Sequence, residues 1–95
     1  MSITIELLAG LEQLSKTKKS DHEMLVTHPV DFTEVVDYVA TKLLEKHGNV
    51  FTGPQSNLAP GIIALINDQD ITVLPKDTRI KAGDKVTFLS MVHGG

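Results

Sequence analysis

Only one stretch of this 95-residue chain carries a long helical pattern, and its apolar residues make a single stripe. Val35, Val36, Val39, Leu43 and Leu44 recur at helical spacing, while Glu34, Asp37, Lys42, Glu45 and Lys46 fall mostly on the other side. A helix with one apolar stripe needs one apolar surface against it, and no second long helix supplies one. The helix must therefore lie on one face of a sheet. Asp31 begins it, with a carboxylate placed to accept from the first free amides and Glu34 three residues on. His47-Gly48 closes it, glycine occupying the left-handed cap.

Strands supply that sheet. Residues 2–7 alternate strictly, Ile3, Ile5 and Leu7 against Ser2, Thr4 and Glu6, which is the period of a half-buried strand. Ala9-Gly10 breaks the pattern, and the polar stretch 15–22 reads as a loop. Residues 23–27, with Met24-Leu25-Val26, form a second strand that Pro29 ends. After the helix, residues 49–60 form a long connection rich in Gly, Pro, Ser and Asn. The continuous apolar run Ile62–Ile66 is a central strand covered on both faces, or one with a face awaiting a partner. Asn67-Asp68 is turn chemistry, residues 71–74 make a short strand stopped by Pro75, and Ala82-Gly83-Asp84 turns into the last strand. One main helix packed on one face of a mixed sheet is an α+β domain. Its strand–strand–helix–strand–strand order is that of the β-grasp, the ubiquitin-like fold.

Composition excludes several functions. The net charge of −3 argues against a direct nucleic-acid surface; Lys16, Lys18 and Lys19 are the one basic run and read as a solvated loop. Without cysteine there is no disulfide, thiolate metal site or cysteine nucleophile. His22, His28, His47 and His93 are scattered, so no metal site is expected. Asp68 and Asp70 belong to a hairpin turn, because the glycine and distal glutamate of a calcium loop are missing. No phosphate-cradling glycine motif and no nucleophile elbow occur. No stretch reaches the length of a membrane span, and the N-terminus has no signal-peptide pattern. The expectation is a cytoplasmic single domain over 1–92, monomeric, acting as a substrate or carrier rather than an enzyme.

The remaining feature is the C-terminus. A strand-like run over 86–92 passes through His93 into Gly94-Gly95. Residues 93–95 read as a short flexible glycine tail. Glycine lacks a Cβ, so its backbone enters a channel that other residues would block. Its carboxylate is unhindered, which suits an acyl group that another enzyme must grip and activate.

The run Pro60-Gly61-Ile62-Ile63-Ala64-Leu65-Ile66-Asn67-Asp68-Gln69-Asp70, then Gly83-Asp84-Lys85-Val86-Thr87-Phe88-Leu89-Ser90 and the ending His93-Gly94-Gly95, closely resembles the ubiquitin-related modifier family. The resemblance implies a sulfur carrier. A partner activating enzyme with a sulfurtransferase domain adenylates the Gly95 carboxylate with ATP, then replaces AMP with sulfur to give a thiocarboxylate. A tRNA thiolase complex takes that sulfur to the wobble uridine of cytosolic tRNAs. The same activated end is joined to lysines of target proteins. ATP and zinc belong to the partner on this view, and this chain binds no cofactor. Gly95 supplies the reacting carbon, Gly94 extends the tail, and His93 is either a partner contact or a spacer. Ubiquitin-type tails carry arginine near the position of Val92-His93, so entry into ubiquitin's own pathway is not implied.

Alternation in the last strand sends Val86 and Phe88 toward the helix and Leu89 and Met91 to the opposite face. Left uncovered, Leu89 and Met91 form a docking patch with residues of the Ile62–Ile66 strand. Two alternatives share the fold. One is the small sulfur-carrier subunit of molybdopterin synthase. The other is a non-catalytic interaction module whose glycine tail is inert.

Overall fold

The computed structural model describes residues 1–45, 50–53 and 57–91. The alternating N-terminal segment is β1, Ser2–Leu8, with Ile3, Ile5 and Leu7 fully buried on one side. Ala9 (φ 55°) and Gly10 (φ 97°) turn the chain into a short 3-10 segment, Leu11–Leu14. β2, Asp21–Leu25, then returns antiparallel to β1, with Ser2 opposite Leu25 and Glu6 opposite Asp21. This strand starts two residues before the expected 23–27. The register explains the shift: it sets Met24 opposite Ile3 on the core side. The Val26 amide then donates to the Met1 carbonyl at 3.1 Å, just past the strand.

A two-residue strand, β3 (Val30–Asp31), leads into α1, Phe32–Tyr38. Asp31 is the N-cap residue, and Glu34 reaches back to accept from its amide at 3.3 Å. The helix widens into a π turn over Val39–Leu43 and stops. It is shorter than the stripe implied. Leu44 is extended (φ −90°, ψ 143°) and forms an antiparallel bridge with Ser15. Two backbone bonds hold it there, Lys16 N to Leu43 O and Glu45 N to Leu14 O, both 2.9 Å. Leu44 is thus buried from an extended segment, not from a helical face. His47 and Gly48, the expected helix stop, lie outside the described residues.

β4, Ile62–Ile66, turns through Asn67 (φ 50°) and Asp68 (φ 69°) into β5, Gln69–Asp70. Positive φ at both turn positions is the hairpin geometry that asparagine and aspartate tolerate. The short strand expected over 71–74 is instead a 3-10 turn, Ile71–Val73. The Asp70 carboxylate accepts from the Thr72 amide at 2.9 Å and its hydroxyl at 2.8 Å, and that clasp curls the chain before it can extend. The same bonds hold the Asp70 carboxyl below its usual range. β6, Arg79–Ile80, pairs with β3, and β7, Lys85–Ser90, completes the main sheet.

The five strands of that sheet run in the order β2-β1-β7-β4-β5. β7 lies in the middle, parallel to β1 and antiparallel to β4. The helix covers one face. Ile3, Ile5, Leu7, Ala64, Ile66, Val86 and Phe88 meet Val35, Val36 and Val39 there. Phe88 is the hinge of the packing, its ring 6.0 Å from Phe32 and 5.2 Å edge-on from Phe51. Burying a side chain of this size contributes about 1.5–3 kcal/mol.

The entrance to β7 is fastened by Asp84, which is buried. Its carboxylate accepts from the Lys81 amide at 2.9 Å and the Asn67 side-chain amide at 3.0 Å, with the Lys81 ammonium at 3.5 Å. Burial pushes its pKa up. The amide bonds and the Lys81 charge outweigh that and hold it below the usual carboxylate range. On the neighbouring turn Asp68 pairs with Lys85 at 3.2 Å, and this hydrogen bond and charge raise the lysine's pKa.

Candidate functional site

The uncovered face of the sheet carries the candidate site. Side chains of β7 that do not meet the helix stand between those of β1 and β4. Leu89 is opposite Leu8 on one side and Ile63 on the other, so three aliphatic side chains form a row across three strands. In the next row Thr87 lies between Glu6 and Leu65. The Thr87 hydroxyl donates to the Glu6 carboxylate at 3.0 Å. Leu89, Ile63 and Leu65 are half-buried, and Leu8 is exposed. Met91, next along the chain on that side, is 62% exposed, while its amide still donates to the Gly61 carbonyl at 2.8 Å. The result is an apolar surface beside the end of β7, walled on the β2 side by Glu6, Asp21 and Glu23. Nothing on this surface resembles a reacting group. Its chemistry is that of contact: water is displaced from aliphatic area when a partner with a matching apolar surface sits on it.

Leu89 and Met91 therefore stand on one face with Ile63 and Leu65 of β4. Leu8 does not stand out in the sequence: the strict alternation ends at Leu7, and the parallel pairing that sets Leu8 beside Leu89 leaves no local trace. Lys16, Lys18 and Lys19 lie in the β1–β2 loop, all exposed. Ser90, on the core side of β7, is buried and its hydroxyl has no hydrogen-bond partner among the described residues. His93, Gly94 and Gly95 lie outside the described residues. Among the described residues no three histidine or acidic side chains gather as metal ligands, and no helix is long and apolar enough to cross a membrane.

A single helix across a mixed five-stranded sheet, with a central last strand parallel to the first and a bare apolar outer face, defines a β-grasp protein of the ubiquitin-like class. The family model described as Urm1 (Ubiquitin related modifier) matches residues 2–95. The chain belongs to the ubiquitin-related modifier family, whose members are ubiquitin-like sulfur carriers. It is 35% identical over 101 residues to Ubiquitin-related modifier 1 of Schizosaccharomyces pombe, with all of both chains covered. It is also 35% identical to the Ubiquitin-related modifier 1 homolog of Caenorhabditis elegans, covering 98% of this chain and 95% of that one. The solution structure of Urm1 from Trypanosoma brucei superposes with a TM-score of 0.81 at 26% identity, covering 99% of this chain and 95% of the other. SAMP1 from Haloferax volcanii has the same fold, with a TM-score of 0.76 at 20% identity and complete coverage of both chains.

Proposed function

We propose that this chain carries sulfur on its own terminal carboxyl group, as the acceptor and donor in a reaction that a partner catalyses. A partner activating enzyme uses ATP: the Gly95 carboxylate attacks the α-phosphorus, pyrophosphate leaves, and an acyl adenylate forms. Sulfur at the oxidation level of sulfide then attacks the carbonyl carbon and expels AMP, leaving a thiocarboxylate. A tRNA thiolase complex passes that sulfur to the wobble uridine of cytosolic tRNAs. When a lysine amine of a target protein attacks the activated carbonyl instead, an isopeptide bond forms and the chain becomes a modifier. Gly94 lets the end reach the partner's active site, with His93 beside it. ATP is the partner's cofactor, and the chain itself works in the cytoplasm.

Three properties of the residues support this reading. The chain has no cysteine, so it has no thiol on which to hold transferable sulfur. A terminal glycine is the least hindered acyl group that a protein offers. The single observation that carries most weight is the placement of Leu89 and Met91: the apolar outer face ends at Met91, from which the sequence runs on through four residues to Gly95. A partner seated on that face has the acyl end within reach, because four residues span at most about 14 Å.

Deleting Gly94-Gly95 tests the reading. In cells that depend on this chain, the shortened protein should accumulate at normal levels, yet 2-thiouridine in wobble positions and conjugates on lysines should both vanish. Normal thiolation with the shortened chain would overturn it.

A further inference from the structure

The loop between β1 and β2 carries charge that the rest of the chain does not. Residues 9–20 contain three lysines against one glutamate, although the whole chain has a net charge of −3. Folding adds a fourth lysine. The Ser15–Leu44 bridge and the Lys16–Leu43 backbone bond lay the loop antiparallel to the end of the helix, which brings Lys42 alongside Lys16 and Thr17. Lys16, Lys18, Lys19 and Lys42 are all exposed. None of the four is in an ion pair among the described residues, whereas Arg79, Lys81 and Lys85 each have a carboxylate partner.

The loop is also held rigid. Ser15 is fully buried, and its hydroxyl donates to the Glu12 carbonyl at 2.9 Å. His22 Nε2 donates to the Lys19 carbonyl at 2.7 Å. Lys18 sits at φ 61°, a left-handed conformation uncommon for a long side chain, and its ammonium donates to the Gln13 carbonyl at 2.7 Å. A strained position kept within a bonded loop fixes the backbone from which the lysines project, which lowers the ordering that opposes binding.

Position gives this ridge its meaning. The loop leaves β1 directly after Leu8, which pairs with Leu89. Its root thus lies at the end of the sheet where β7 finishes. We propose that Lys16, Lys18, Lys19 and Lys42 form a second docking site, at the same end of the sheet as the end of β7, that engages an acidic surface of the activating protein. This rests on the reading of the chain as an acyl carrier. A protein surface fits better than a nucleic acid. Phe51 and Phe88 are buried and Phe32 and Tyr38 are half-buried on the helix, so no phenylalanine or tyrosine ring stands among these lysines to stack a base. Glu12 and Glu45 interrupt the ridge, and the net negative charge of the chain opposes a long phosphate polymer. Carboxylates set opposite the four ammonium groups would steer the chain as it approaches.

The test compares the wild-type chain with Lys16→Glu/Lys18→Glu/Lys19→Glu, with the same three positions changed to Arg, and with Lys16→Glu/Lys19→Glu, which spares the Lys18 turn. Each is checked for folding by thermal melting. Thiocarboxylate formation is then followed by mass with the activating enzyme, ATP and a sulfur donor across a range of salt. The Glu variants should lose about tenfold or more in kcat/KM at low salt, with kcat kept, and the loss should shrink as salt rises. The Arg variant should behave as wild type. Folded Glu variants with unchanged kcat/KM and unchanged salt dependence would overturn the proposal. So would loss of tRNA binding by the Glu variants with activation intact, which would make the ridge a nucleic-acid site. Failure of the acyl-carrier reading is distinguishable because the wild-type chain itself would gain no sulfur, and the ridge proposal would fall with it.

Discussion

The two faces of β7 differ in what their residues touch, although the residues alternate along a single strand. Val86 and Phe88 point at the helix and are fully buried. Thr87 and Leu89 point away, and Met91 beyond them is exposed. On the helix face every aliphatic or aromatic group has protein against it. On the outer face Leu8, Leu89, Ile63, Leu65 and Met91 form a surface of similar chemistry, with Leu8 and Met91 exposed and the other three half-buried. An apolar side chain contributes to folding only where folding removes it from water. Substitutions on the helix face should therefore act on stability, and those on the outer face on partner binding.

The strongest test of that division is Phe88→Ala. Removing the ring between Phe32 and Phe51 should cost about 3–5 kcal/mol in chemical denaturation, a large part of a small domain's total stability. A loss below about 1 kcal/mol would mean that the helix face is not the core. On the other face Leu89→Asp should weaken binding to the activating enzyme by roughly tenfold or more. Its melting curve should move far less than that of Phe88→Ala. Equal losses of stability in the two variants would erase the distinction between the faces.

Asp84 sharpens the comparison because it fixes the start of β7 without touching the outer face. Its folded pKa is lowered, so the native state favours the ionised form. Its contribution to stability is present above the unfolded pKa and is lost as pH falls through the folded one. Asp84→Asn should thus be less stable than wild type at neutral pH, by about 1 kcal/mol. The gap should close under acid, below the ordinary carboxylate range, as measured by denaturation at several pH values. A gap that widened in acid would contradict the assignment. The smallest effect belongs to Ser90. Its buried hydroxyl has no partner among the described residues, so Ser90→Ala should be neutral or stabilising by up to about 1 kcal/mol. Clear destabilisation would reveal an interaction that this hydroxyl makes.

Periodicity carried most of the fold into view. Ile3, Ile5 and Leu7 alternate because a strand with one buried face requires it, and Val35, Val36 and Val39 recur because a helix on a sheet does. The misreadings have local causes. The helix stripe ran on to Leu44 because an extended residue pinned to Ser15 occupies the same core as a helical one. Residues 71–74 have strand composition, but the Asp70 carboxylate curls them by binding Thr72. The apolar outer face is legible in outline, since the places of Leu89 and Met91 follow from alternation along β7. Leu8 was not legible, because only the parallel pairing of the first and last strands brings it to Leu89. The lysine ridge was hidden for the same reason: Lys42 joins Lys16 through a bridge between distant segments.

The most direct measurement is to locate the sulfur. The wild-type chain, incubated with the activating enzyme, ATP and a sulfur donor, is digested and its C-terminal peptide analysed by mass. Loading at the acyl end predicts that one oxygen is replaced by sulfur on the peptide ending in Gly95, only when ATP is present. Sulfur on any other peptide, or an unchanged terminal peptide under conditions where tRNA becomes thiolated, would contradict it.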